Sequence, residues 1–196
     1  MTMIMQAEVK KYYSPEEYLE LEINAEEKHE YIDGEIILIP GGTLNHNRIT
    51  LNFGAALNFA LKGQPYDVFA ADLRLWIPQR RIYTYPDIMA IGGDLEFQEG
   101  GKDAITNPVA IAEVLSTSTQ GFDRGEKLKI YRTIPSFQEY VLIDQYSMHV
   151  KRYYKQEHDR WIFSEYDAPE SILKLNSVPC EISLAALYDK VNFEVE

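Results

Sequence analysis

A carboxylate inside an apolar segment is the residue of greatest chemical interest in this sequence. Glu113 lies in the run VAIAEVL (109–115), whose two faces are both apolar if it forms a strand. An ionised carboxylate is costly to bury alone, so Glu113 needs a cation or several hydrogen-bond donors. A metal ion meets that need, and so does a structural salt bridge with an arginine.

A second carboxylate, Asp87, directly precedes the apolar run IMAI (88–91). Alone, an aspartate in this position is as typical of a turn as of a functional site. If the runs around Asp87 and Glu113 form neighbouring strands, the two carboxylates can converge on one divalent cation. Their hard oxygen atoms suit Mg²⁺ or Mn²⁺, so the pair predicts a metal site with Asp87 and Glu113 as ligands.

Lys127 is the third candidate, in the segment that follows the Glu113 strand. At helical spacing, Lys127 shares a stripe with Ile130, Tyr131 and Ile134, whereas Lys129 lies off that stripe. Two interpretations stay open for Lys127. Either its side chain runs past the helix end to solvent, or its ammonium reaches the metal cleft to orient a water or neutralise a phosphate.

The elements that position these residues follow from capping, turn and periodicity signals. Ser14-Pro15 begins a helix, Asp33-Gly34 indicates a hairpin, and Ser183 caps a short last helix. The order of elements predicts a single α/β domain over 1–196, with a central mixed β-sheet flanked by helices and a terminal β-meander. The predicted ranges are helices 45–61 and 121–134, strands 68–77, 82–91 and 108–115, and meander strands 139–143, 147–154 and 161–166.

Composition limits the possible functions. The chain has 196 residues and a net charge of −12, which argues against a surface that binds nucleic acid everywhere. The single cysteine, Cys180, allows neither an internal disulfide nor a cysteine-rich zinc site. No apolar stretch is long enough to cross a bilayer, and we expect a cytoplasmic protein without a membrane partner.

Several short strings, in this order, resemble the Uma-type endonuclease family, a group with the restriction-endonuclease-like, PD-(D/E)xK fold. The resemblance runs from about residue 14 to 154. The strings are EYIDGE (30–35), YPDI (85–88), AEVLS (112–116) with Ser118-Thr119, Asp123-x-x-x-Lys127-x-x-x-Tyr131, and EYVLID (139–144).

The resemblance implies a Mg²⁺-dependent phosphodiesterase site in which Asp87 and Glu113 hold the metal and Lys127 is the catalytic lysine. The usual pattern of this fold has a lysine two residues after the glutamate, where this chain has Leu115, so that role passes to Lys127. Glu30 is either a further acidic group near the metal or a structural residue at the start of the hairpin. His46 either contacts a phosphate or the attacking water, or begins its helix without a role in the reaction.

The leading hypothesis is a metal-dependent endonuclease that hydrolyses DNA phosphodiester bonds with Mg²⁺ or Mn²⁺. Duplex binding needs a basic surface, and the clustered candidates are Arg124, Lys129 and Arg132, with Arg80 and Arg81. Asp72 and Arg74 are weaker candidates for the border of the cleft. The alternative is a catalytically silent module of the same fold that binds nucleic acid or protein. Homodimerisation is a further expectation, since cutting both strands takes two sites.

Overall fold

The computed structural model describes residues 11–116 and 123–194, without the side chains of Asp123 and Arg124. Helices and strands alternate along the chain as in a mixed α/β fold. The helices are α1 (Pro15–Ile23), α2 (Leu44–Ala60), α3 (Leu128–Tyr131) and α4 (Leu184–Leu187), with a π-helical turn at Asp123–Lys127 and 3₁₀ turns at Pro78–Arg80 and Glu157–Asp159. The strands are β1 (His29–Ile32), β2 (Glu35–Leu38), β3 (Tyr66–Ala70), β4 (Arg74–Ile77), β5 (Ile82–Thr84), β6 (Ile88–Gly92), β7 (Ala104–Ile105), β8 (Pro108–Leu115), β9 (Glu139–Asp144), β10 (Val150–Lys155), β11 (Trp161–Tyr166), β12 (Ile172–Lys174) and β13 (Glu181–Ser183).

The central sheet has six strands in the order β11-β10-β9-β8-β6-β3. β8 and β9 are parallel, and the other neighbours are antiparallel, so the sheet is mixed. Strands β9, β10 and β11 form the meander that the sequence predicts. A second sheet has the order β2-β1-β5-β4-β7, and β12 pairs with β13. This confirms the predicted fold class.

Period-two alternation in β8 divides the core into two clusters. Ala110, Ala112 and Val114 pack with α2 and the C-terminal elements. Ile111 and Leu115 lie on the opposite face, with apolar residues of the second sheet and of α3. Both faces of β8 are therefore covered, as its apolar sequence predicts, and Glu113 belongs by alternation to the face of Ile111 and Leu115.

Two predicted strands are wrong as continuous elements. The predicted strand 68–77 is divided between β3 in the central sheet and β4 in the second sheet, with Ala71 between them at a φ of 61°. The predicted strand 82–91 is divided in the same way into β5 and β6, and Pro86 lies in the break. Left-handed backbone and proline both end a ladder, so the chain passes from one sheet to the other at these positions.

The predicted helix 121–134 is also corrected, because its described part is a π-helical turn followed by the short helix α3. The long helix 45–61 is confirmed as α2, and Ser14 and Ser183 cap α1 and α4. Within residues 11–116 and 123–194, no helix is both long and apolar enough to cross a membrane.

Candidate metal-dependent active site

A pocket of about 260 Å³ opens where β6 begins and β8 ends. Its walls are the end of β2 with the loop that follows, the first turn of α2, and the π-helical turn before α3. The pocket combines carboxylates, a histidine and a lysine with an apolar wall. Its lining residues are Glu30, Ile37, Leu38, Ile39, Pro40, Gly41, Gly42, His46, Tyr85, Asp87, Glu113, Val114, Ser116 and Lys127.

Strand pairing brings the two predicted metal ligands together. β6 and β8 are antiparallel with Ile88 opposite Ala112, so Asp87 reaches the sheet beside Glu113. The Asp87 carboxylate then accepts a hydrogen bond from the backbone N–H of Val114 at 2.7 Å. This bond fixes one carboxylate oxygen of Asp87 at the end of β8, next to Glu113 in the pocket wall.

His46 holds the other oxygen of Asp87. Its Nε2 lies 3.1 Å from Oδ1 of Asp87. Thr43, the N-cap residue of α2, accepts a hydrogen bond from the backbone N–H of His46 at 3.1 Å, which fixes the first turn of that helix. The structure thus places His46 in the pocket against a candidate metal ligand.

Glu113 is 4% exposed, and its Oε1 accepts two hydrogen bonds. Lys127 Nζ donates at 3.1 Å, and the Tyr131 hydroxyl donates at 2.6 Å. Lys127 is itself 7% exposed, whereas Lys129 is exposed and pairs with Glu126 at 2.7 Å. The Lys127 side chain therefore turns inward to the pocket instead of running out to solvent, as the helical spacing indicates.

In the sequence, Tyr131 belongs to the core stripe and to a family string, and neither marks it as a site residue. Its spacing of four residues from Lys127 puts both side chains on one side of the helical turn, and both donate to the same carboxylate oxygen. The four-residue spacing in the string Asp123-x-x-x-Lys127-x-x-x-Tyr131 is the sequence feature that indicates Tyr131 as a neighbour of Lys127.

Glu30 and Tyr85 also line the pocket. Glu30 lies in β1 and bonds the hydroxyl of the buried Thr84 in β5, so the second sheet holds it at the pocket wall. Tyr85, which the sequence did not single out, donates its hydroxyl to Glu22 at 3.1 Å. Burial raises the pKa of Tyr85 to about 12, so its hydroxyl stays a neutral donor at physiological pH.

Two predicted border residues lie elsewhere. Asp72 pairs with Lys28, Arg74 donates to Asp103 at 3.0 Å, and these residues line a different depression beside α1. Their prediction as residues of the cleft is wrong, because the division between β3 and β4 carries this part of the chain to the second sheet.

The predicted nucleic-acid contacts are only partly described. Lys129 is exposed, and the Arg132 guanidinium lies over the Trp161 ring, 5.4 Å from its centroid. The side chain of Arg124 lies outside the described residues. Arg81 donates to the Tyr31 hydroxyl at 3.2 Å, so it belongs in part to the packing of the second sheet.

The donor chemistry of the pocket fits a hard divalent cation. Asp87 and Glu113 supply carboxylate oxygens from adjacent strands, which is the number of protein carboxylates that Mg²⁺ commonly uses beside water and substrate phosphate. Among the described residues, no three histidine, cysteine, aspartate or glutamate side chains converge as a metal-binding group.

Comparison with known proteins identifies the family. The uncharacterised Synechocystis protein sll1609 is 46% identical over 149 residues, which are 76% of this chain and 84% of that protein. A second uncharacterised Synechocystis protein, slr1290, is 32% identical over 180 residues, 92% of this chain and 93% of its own length. The crystal structure of a putative nuclease belonging to DUF820 from Anabaena variabilis shares the fold, with a TM-score of 0.74 and 23% identity over 90% of this chain and 97% of that one. The model of the Uma2 family, described as "Putative restriction endonuclease", matches residues 15–187, so the chain belongs to the Uma2 family.

Proposed function

We propose that this protein is a Mg²⁺-dependent endonuclease that hydrolyses DNA phosphodiester bonds, with Mn²⁺ as a substitute ion. The observation that carries the proposal is the convergence of Asp87, Glu113 and the buried Lys127 in one pocket. Membership of the Uma2 family supports the same class of activity. We place this activity in the cytoplasm, since one buried cysteine requires no oxidising compartment.

Asp87 and Glu113 are the residues that would hold the ion. When bound, Mg²⁺ supplies charge that polarises a phosphate oxygen and lowers the pKa of a bound water. Groups of the protein itself hold the two carboxylates in place. The backbone N–H of Val114 and the Nε2 atom of His46 fix the Asp87 carboxylate, and the Tyr131 hydroxyl fixes the Glu113 carboxylate.

Lys127 is proposed as the catalytic lysine. Its ammonium lies 3.1 Å from Glu113 Oε1 in the pocket wall, where it can stabilise the negative charge that develops on a phosphate. In this position Lys127 takes the role that Leu115 cannot fill on the strand. Its burial strengthens its interaction with a charged substrate, since water screens it less.

Cleavage of supercoiled and linear DNA by the purified protein tests this function. We expect nicking or cutting with Mg²⁺ or Mn²⁺, loss of cleavage in Asp87→Ala, Glu113→Ala and Lys127→Ala, and retention in Lys129→Ala. Lys129 is the matched control, because it lies two residues away and faces solvent. Loss in Lys129→Ala with retention in Lys127→Ala would contradict the assignment of the lysine.

A catalytically silent binding module is the second candidate. It is favoured by the pairing of both acids within the protein, His46 with Asp87 and Lys127 with Glu113, together with the net charge of −12. Titration calorimetry with Mn²⁺ separates the two. The endonuclease binds Mn²⁺ and loses affinity in Asp87→Asn, whereas a silent module shows no heat that depends on Asp87.

A further inference from the structure

The outward face of α2 is apolar and has no packing partner among the described elements. Leu44, Leu51 and Phe59 are 71%, 70% and 83% exposed, and Ala55 between them is exposed as well. At 100° per residue these four positions fall within one narrow stripe of the helix. The opposite side of α2 carries Ile49, Phe53 and Leu57 into the core, so the helix is apolar on both sides.

This face also differs from the rest of the protein in charge. The segment 36–66 contains no aspartate or glutamate, although the chain holds 31 of them in 196 residues. Its two basic residues are Arg48 and Lys62. Two molecules that each carry a net charge of −12 repel each other less when they meet through their acid-free α2 helices.

A groove lies beside the C-terminal end of the stripe. It lies between the end of α2 and β3, and its lining includes Phe59, Tyr66 and Val68. Its apolar lining residues can receive a leucine side chain from another helix. The stripe itself begins with such a leucine, Leu44, at its opposite end.

We propose that α2 is the interface of a homodimer, in which the α2 helices of two copies pack antiparallel about a two-fold axis near Leu51. In this register Leu44 of one copy meets Phe59 and the adjoining groove of the second copy. Arg48 meets Ala55 of the second copy, so the small alanine leaves room for the long side chain. The interface is self-complementary, as a two-fold axis requires.

The occupant is a second copy and not nucleic acid, because the stripe and its groove offer mainly apolar side chains and only two lysine or arginine side chains, Arg48 and Lys62, to a phosphate backbone. The dimer stands independently of the nuclease activity proposed above. Its geometry leaves the pockets free, since His46 lies at the pocket and the stripe faces away from it. The helices, each about 25 Å long for 17 residues, place the two pockets at opposite ends of the pair.

Sedimentation velocity of the full chain over a range of concentrations tests the interface. We expect a reversible dimer, with Leu51→Glu raising its dissociation constant by about 30-fold or more, because two carboxylates then face each other near the axis. Ile23→Glu is the matched control, since Ile23 is 74% exposed on α1, and it leaves the dissociation constant unchanged. A wild-type chain that stays monomeric, or equal dimerisation of the two variants, overturns the proposal.

Cysteine cross-linking tests the register. A mixture of Leu44→Cys and Phe59→Cys chains forms a disulfide-linked dimer under diamide, whereas neither variant does so alone. The native Cys180 does not interfere, because it is buried and desolvation raises its pKa to about 11. Cross-linking of Leu44→Cys with itself overturns the antiparallel arrangement. If Leu51→Glu instead weakens DNA binding of a chain that is always monomeric, the face binds nucleic acid and the proposal is also overturned.

Discussion

Two buried glutamates on adjacent parallel strands are held in different ways. Glu113 in β8 is 4% exposed, and Glu139 in β9 is fully buried. Both occur in apolar strand sequences, and both must be paired to remain charged. The identity of their donors separates a candidate functional carboxylate from a structural one.

Glu139 is held mainly by backbone. Its Oε2 accepts from the backbone N–H groups of Asn176 and Ser177 at 2.9 and 2.8 Å, and from the Ser177 hydroxyl at 2.6 Å. The Arg152 guanidinium lies 3.5 Å from its Oε1. Asn176 and Ser177 belong to the loop between β12 and β13, so this carboxylate fastens the C-terminal hairpin to the central sheet.

Glu113 is held by side chains at the edge of a pocket. Lys127 and Tyr131 donate to it from the helical turns that follow the strand, and Lys127 also lies in the pocket wall, where a ligand can reach it. Backbone donors cannot be exchanged for a substrate, whereas side-chain donors can. The comparison supports the proposal that Glu113 serves binding, whereas the partners of Glu139 fit a structural role.

The largest expected effect is on stability at Glu139. Glu139→Ala lowers the free energy of unfolding by about 3–5 kcal/mol, because it leaves the buried Arg152 and the backbone N–H groups of Asn176 and Ser177 without their acceptor. Urea unfolding followed by circular dichroism measures the loss. Glu181→Ala, at an exposed position of β13, is the control and changes the free energy by less than about 0.5 kcal/mol. A loss of stability at Glu139 as small as that of the control would contradict a structural role for Glu139.

The next effect is the change in stability when each glutamate is replaced together with its cationic partner. We expect it to differ in sign between Glu113 and Glu139. The double variant Glu113→Gln with Lys127→Met leaves stability unchanged or raises it by up to about 2 kcal/mol, because it removes a desolvated ion pair and keeps an acceptor for Tyr131. The corresponding double variant, Glu139→Gln with Arg152→Met, lowers stability by about 1–3 kcal/mol, since backbone donors then meet an amide. Parallel urea titrations measure both, and equal signs would contradict the division of roles.

Sequence alone predicts the parts of this site that depend on local periodicity. The strand 108–115 is found with the bounds expected from its apolar run, and the helical spacing places Lys127 inward and Lys129 outward. These features are local because each depends on residues within one strand or within two helical turns.

Features that depend on distant contacts could not be predicted in this way. The turn at Ala71 adopts a left-handed φ of 61° without a glycine, and its N–H donates to the Asp87 carbonyl at 3.0 Å. This hydrogen bond joins residues that are sixteen positions apart in sequence, and it lies at the break between β3 and β4. The partners of Glu139 lie 37 and 38 residues ahead, in a loop with no sign of this role in its sequence.

The smallest expected effect is on Mn²⁺ binding. It distinguishes a tyrosine hydroxyl that bonds a candidate metal ligand from one that bonds only backbone groups. Tyr131→Phe removes the hydrogen bond to Glu113 Oε1 and lowers stability by about 1 kcal/mol, but it also weakens Mn²⁺ binding by about 10-fold, because the carboxylate loses its orientation. Tyr188→Phe is the matched control, since its hydroxyl donates to the backbone carbonyls of Asp144 and His149 at 2.9 Å. It lowers stability to a similar extent and leaves Mn²⁺ affinity unchanged. Calorimetry and urea unfolding on the same preparations distinguish the two, and equal Mn²⁺ affinity in both variants would show that the Glu113 carboxylate needs no positioning by Tyr131.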